Sequence, residues 1–69
     1  MRVLKERDFV KAIVLISNGD WPIKVNTMGA IVSVLANGEA YEVEFLTDNF
    51  NLFDVVTVLP NQIEPLWTF

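Results

Sequence analysis

The dipeptide Asn37-Gly38 stands between the apolar run Ala30 to Leu35 and a strictly alternating segment, Ala40-Tyr41-Glu42-Val43-Glu44-Phe45. A type I′ turn needs positive φ at both central residues, Asn and Gly reach it at least cost, and the turn's twist matches that of two paired strands. The three segments therefore predict a β-hairpin. Because strand side chains alternate with period two, Tyr41, Val43 and Phe45 share one face and Glu42 and Glu44 the other. The strand is expected to be buried on the first face and solvated on the second.

The remaining chain divides around that hairpin. Phe9 to Ile16, rich in Val and Ile, reads as a buried strand, with a short helix capped by Asp8 as the alternative. Ser17-Asn18-Gly19-Asp20 followed by Trp21-Pro22 marks a long connection that runs to Met28. A turn at Asp48-Asn49-Phe50-Asn51 leads into another Val-rich strand, Leu52 to Leu59. Pro60-Asn61-Gln62 then breaks the ladder, since proline has no N–H to donate, and a short helical turn fits there. Ile63 to Leu66 has room for one last strand, which Pro65 assigns to an edge. Five short strands in 69 residues must bend to protect their edges. The expected fold is all-β: a small five-stranded SH3-like barrel with a short helical turn before the last strand, formed as one domain by residues 6–66.

Composition narrows the chemistry. With 52% apolar and 20% charged residues the chain is built to form a core rather than to remain disordered. It has no cysteine and no histidine, so disulfides, thiolate or imidazole metal sites, and Ser-His-Asp or Cys-His constellations are excluded. The glycines at 19, 29 and 38 are isolated, and none precedes Lys-Ser or Lys-Thr, which excludes a phosphate loop of the nucleotide-hydrolysing kind. The longest apolar stretch, Ala12 to Ile16, is far short of a membrane span. Mixed charges near the N-terminus give no secretion signal, and a cytoplasmic location is the expectation.

The net charge of -4 is unevenly placed. Residues 1–24 carry five bases and three acids, whereas residues 25–69 carry six acids and no base. Nucleic acids are held chiefly through Lys and Arg on phosphates, so a nucleic-acid partner is not expected.

Four blocks together resemble a known family: Asp8-Phe9-Val10; Met28-Gly29-Ala30-Ile31-Val32; Gly38-Glu39-Ala40-Tyr41-Glu42-Val43-Glu44-Phe45; and Val56-Thr57-Val58-Leu59-Pro60-Asn61-Gln62-Ile63-Glu64-Pro65. The chain resembles the small bacterial domain family DUF4926 from Glu6 to Leu66, most specifically in the Ala-Tyr-Glu-Val-Glu-Phe block. The resemblance implies an SH3-like fold and carries no activity with it. Where that family usually has glycine, this chain has Asn26, the non-glycine residue that best tolerates positive φ.

The candidate functional residues are few. Glu42 and Glu44 lie side by side about 7 Å apart by strand geometry; acid–base work would need one of them perturbed by a cleft, and an outward strand face predicts none. A cation held by Glu39, Glu42 and Asp48 lacks the acidic loop of a calcium site. Asp8 at a strand entrance is read as a partner of neighbouring backbone N–H groups. Among the aromatics, Phe9, Tyr41 and Phe45 are assigned to the core, while Trp21, Phe50, Trp67 and Phe69 are surplus to it and mark an interface or the barrel's ends. No catalytic residue, cofactor or metal is expected. The reading is a non-enzymatic protein-interaction module, a neutralising or regulatory member of a two-gene bacterial system. It would meet a basic protein partner through Trp21, Glu39, Glu42, Glu44 and Asp48. The alternative is a self-associating structural subunit, since a chain this small gains burial by oligomerising.

Overall fold

The computed structural model describes residues 4–19, 21–46 and 53–66. Its elements in chain order are β1 (Phe9–Ala12), β2 (Met28–Leu35), β3 (Ala40–Leu46), β4 (Phe53–Val58) and β5 (Ile63–Pro65), with 3₁₀ turns at Ala36–Gly38 and Pro60–Gln62. All pairings are antiparallel, in one sheet of order β4-β3-β2-β1-β5. The fold is all-β, as the patterning requires, and no helix among the described residues is long and apolar enough to cross a membrane. The expected turn Asp48 to Asn51 lies outside the described residues.

The hairpin forms as its sequence dictates. Leu35 pairs with Ala40, and the Glu39 N–H donates to the Ala36 carbonyl at 3.2 Å. Between them, Asn37 sits at φ 59°, ψ 30° and Gly38 at φ 99°, both central positions of a type I′ turn. Ala36 is also left-handed, at φ 48°, a conformation that costs an L-residue roughly 1–2 kcal/mol. Asn26 adopts φ 74°, and its N–H donates to the Ala12 carbonyl at 2.8 Å. Pro60–Gln62 is closed from both sides: Gln62 N–H donates to the Leu59 carbonyl at 3.0 Å, and Gln62 Oε1 accepts from the Leu59 N–H at 2.8 Å.

One face of the sheet carries the core. Val10, Ala12, Ile31, Tyr41, Val43, Phe45, Val56, Val58 and Ile63 are buried, joined by Leu4 and by Ile16 and Ile23 from the long connection. No polar or charged side chain is buried among the described residues. Ile16 and Ile23 exchange both backbone hydrogen bonds, at 3.0 and 2.8 Å, so the connection folds back on itself and delivers two isoleucines to the core.

Two expectations need correction. The strand expected over Phe9 to Ile16 ends at Ala12: Ile13, Val14 and Leu15 are exposed, and only Ile16 returns to the interior. Phe9, assigned to the core, is 63% exposed. Reading the run as a buried strand overlooks Lys11, which shares the parity of Phe9. The ladder decides that Val10 and Ala12 face inward, which turns Phe9 to solvent.

Among the described residues the sheet is not closed into a barrel by strand pairing: β4 and β5 are its two edges. The long connection covers part of the β4 edge instead. Asn18 Nδ2 donates to the Thr57 carbonyl at 2.8 Å, and the Trp21 N–H to Asp54 Oδ2 at 3.4 Å. A Cβ on Gly19 would stand 2.8 Å from Val56 Cγ2 and 2.9 Å from Asp54 Oδ2, so the main chain passes hard against the strand. Occupying edge carbonyls in this way removes a template for pairing with another chain. Pro65 blunts the opposite edge.

Candidate functional site

The face of the sheet opposite the core is where sequence and structure part company. Glu42 and Glu44 lie there, as alternation demands, and both are partly buried. What surrounds them is not a solvated polar surface. Phe9 pairs with Ala30, Ala30 with Glu44, and Glu44 with Val55, which places one carboxylate in a row of apolar side chains across four strands. Phe9, Met28, Val32 and Val55 are 63%, 59%, 43% and 50% exposed, far more than isolated surface hydrophobics would require. Val32 shares the outward parity of Met28 and Ala30, and an irregularity in the β2–β3 register between Ile31 and Ser33 then lets Ser33 pair with Glu42 and Val34 with buried Tyr41.

Within this face lies a cleft of about 490 Å³ lined by Phe9, Met28, Gly29, Ala30, Glu44, Leu46 and Leu66. Its wall at the β1 side is fixed by the Leu66 N–H, which donates to the Phe9 carbonyl at 2.8 Å and holds the chain beyond β5 against β1. Gly29 supplies backbone rather than a side chain to the lining. The lining contains one charged group, the Glu44 carboxylate, which makes no ion pair or hydrogen bond among the described residues. Lys11, on the same face through its pairing with Met28, is engaged with Glu64 at 3.4 Å.

The other candidate residues are distributed differently. Glu39 lies at the end of the hairpin turn, exposed, with its N–H closing that turn. Trp21 is 54% exposed, but its main chain is anchored to the Asp54 carboxylate. Asp54 pairs with buried Phe45, so it belongs to the core-facing parity, opposite Glu42 and Glu44. The structure therefore brings Glu42 and Glu44 together and ties Trp21 to the other side of β4. Asp48 lies outside the described residues, and so do Phe50, Trp67 and Phe69. Among the described residues no three carboxylates gather to hold a metal ion. Asp8 has the role expected of it, its Oδ2 accepting from the Lys5 N–H at 3.0 Å.

Sequence reasoning missed Phe9, Met28, Ala30, Leu46 and Leu66 as members of one surface. They come from four strand environments far apart in the chain, and only the ladder assembles them. A signal was available in Met28 and Ala30, which share parity in β2 and have no apolar place on the core side.

No family model matches the chain, and neither the curated proteins nor the solved structures contain a match.

Proposed function

We propose that the chain is a non-catalytic protein-interaction module whose binding surface is the outer sheet face around Glu44, in keeping with its resemblance to DUF4926 domains of SH3-like type. The observation that carries this reading is the open apolar cleft between β1, β2 and β3, on a face where a small domain would otherwise present polar residues. Apolar surface of this kind, rimmed by charge, marks interaction sites. The acidic balance of residues 25–69 favours a basic protein, drawn in by long-range attraction, in a cytoplasmic setting and as the regulatory or neutralising member of a two-gene system. Trp21 and Glu39 then belong to the periphery or to a second contact.

Self-association is the second reading, favoured by the same exposed face on so small a chain. Both are tested by placing a photo-crosslinking side chain at Met28 and, as control, at Val14, and irradiating cells that carry this gene. A discrete adduct with a different protein from position 28 alone supports the module. An adduct of twice the chain's mass supports self-association. Identical adducts from both positions, or none, exclude this face.

A further inference from the structure

We propose that the cleft receives a segment of a partner protein in which an apolar side chain is flanked by lysine or arginine, the apolar group seated against Phe9, Met28 and Leu46 and the cation paired with Glu44. The inference rests on the reading of this face as a binding surface and adds the chemistry of its occupant. Three observations carry it. The cleft walls are hydrocarbon, apart from backbone at Gly29, so the occupant's buried part is apolar. The one charged group in the lining is a carboxylate that nothing else among the described residues neutralises, with Glu42 two residues away on the same face. Lys11, a base on that face, is engaged with Glu64, and residues 25–69 contain no base.

An occupant without positive charge would bury the Glu44 carboxylate unpaired, which is costly, whereas a cation beside hydrocarbon gains from the reduced dielectric. Phosphate-bearing partners and anionic lipid are repelled for the same reason. A second copy docked by this face about a two-fold axis passing through the cleft would set Glu42 and Glu44 close to their own equivalents, a like-charge arrangement that opposes that symmetric dimer. Carboxylates on alternate residues stand about 7 Å apart, the spacing of same-side residues in an extended segment, so a strand-like occupant with bases two residues apart satisfies both.

The test uses two synthetic heptapeptides, acetylated and amidated. In the first, lysine, lysine and leucine occupy positions two, four and six between threonines, all on one side of an extended chain; in the second, glutamate replaces lysine. Binding to the ¹⁵N-labelled chain is followed through backbone amide shifts. The basic peptide is expected to move the amides of Ala30, Glu44, Leu46 and Leu66, and the acidic peptide to bind at least about fivefold more weakly, the size of a surface ion pair's contribution. Glu44→Gln, on a solvent-facing strand position, should remove most of that preference, and Met28→Thr should weaken both peptides. Equal affinity for the two peptides overturns the proposal. So does binding of neither at millimolar concentration, a set of shifted amides elsewhere, or concentration-dependent self-association that shifts the same amides. A heterologous adduct from Met28 without charge preference would leave the binding face standing and remove only its proposed occupant.

Discussion

Replacing Gly29 by alanine adds one methyl group at the most crowded point of the sheet. A Cβ there would stand 2.6 Å from the Glu44 carbonyl oxygen, 2.9 Å from Phe45 Cδ1 and 2.9 Å from Val43 Cγ1. The first of these is backbone of the paired strand, so no side-chain rotation relieves it, and Phe45 and Val43 are both fully buried. Gly29 pairs with Phe45, and relief requires β2 and β3 to separate locally. Overpacking usually costs about 1–3 kcal/mol, and a rigid backbone contact belongs at the upper end. For a domain of this size each kcal/mol lowers Tm by about 4–8 °C, giving a fall of about 12–24 °C. Gly19→Ala is the comparison: its closest contacts, Val56 Cγ2 at 2.8 Å and Asp54 Oδ2 at 2.9 Å, are side-chain atoms opposite an exposed connection, so the loop can shift where a paired strand cannot. Its expected fall is about 4–8 °C or less, partly offset by the reduced freedom of the unfolded chain. Thermal and urea melts followed by far-ultraviolet circular dichroism measure both. If Gly29→Ala melts within about 2 °C of the parent, or no lower than Gly19→Ala, the close approach of β2 to β3 is not what requires glycine. Gly29→Val should leave little folded protein, since one core of this size supplies only about 3–5 kcal/mol.

Gly38→Val places a β-branched residue at φ 99° and should cost about 1–2 kcal/mol, read as a lower urea midpoint with unchanged slope. Val43→Asp puts a charge at a fully buried position and should abolish the cooperative melt, whereas Glu42→Lys on the outer face should stay within about 0.5 kcal/mol of the parent. Gln62→Ala removes the acceptor of the Leu59 N–H and should destabilise by about 1 kcal/mol; an unchanged melt would show that Pro60 and the backbone bond from Gln62 N–H to the Leu59 carbonyl hold the turn without the side chain. Asn18→Ala frees the Thr57 carbonyl on the β4 edge, and its signature should be faster aggregation near Tm rather than a large loss of stability, measured by light scattering during the melt.

The parts of this structure that were legible in the sequence are those whose determinants are local. Asn37-Gly38 specifies its turn through the φ values of two adjacent residues, and Tyr41, Val43 and Phe45 declare their face because charged residues separate them. Asn26 and Asp8 were readable for the same reason, one through backbone tolerance and the other through a carboxylate three residues from the N–H it accepts. Phe9 is misplaced by reading the run from Phe9 to Ile16 as buried, although Lys11, two residues on and of the same parity, goes to the outer face with it. The candidate site shows the converse. Glu44 could be singled out, but whether its neighbours were water or hydrocarbon depended on Phe9, Met28 and Leu66, which reach it across the ladder from both ends of the chain. Closure into a barrel is not seen among the described residues, and the length of the connection between β1 and β2 does not reveal that its Asn18 side chain meets the β4 edge.

The strand order has a consequence for how the chain acquires its structure. β2, β3 and β4 form a meander whose contacts are close in sequence, and they can pair as soon as each hairpin is complete. β1 is made first but lies between β2 and β5, and its ladder joins Val10 to Pro65 near the other end of the chain. During ribosomal synthesis β1 can therefore have one neighbour but not both, and its free side stays unpaired until Ile63–Pro65 has emerged. Because Ile63 also belongs to the core, cooperativity arrives only with β5. The entropy of closing the long loop between β1 and β5 falls on that step, which makes β1–β5 docking, rather than hairpin formation, the event expected to set the folding rate.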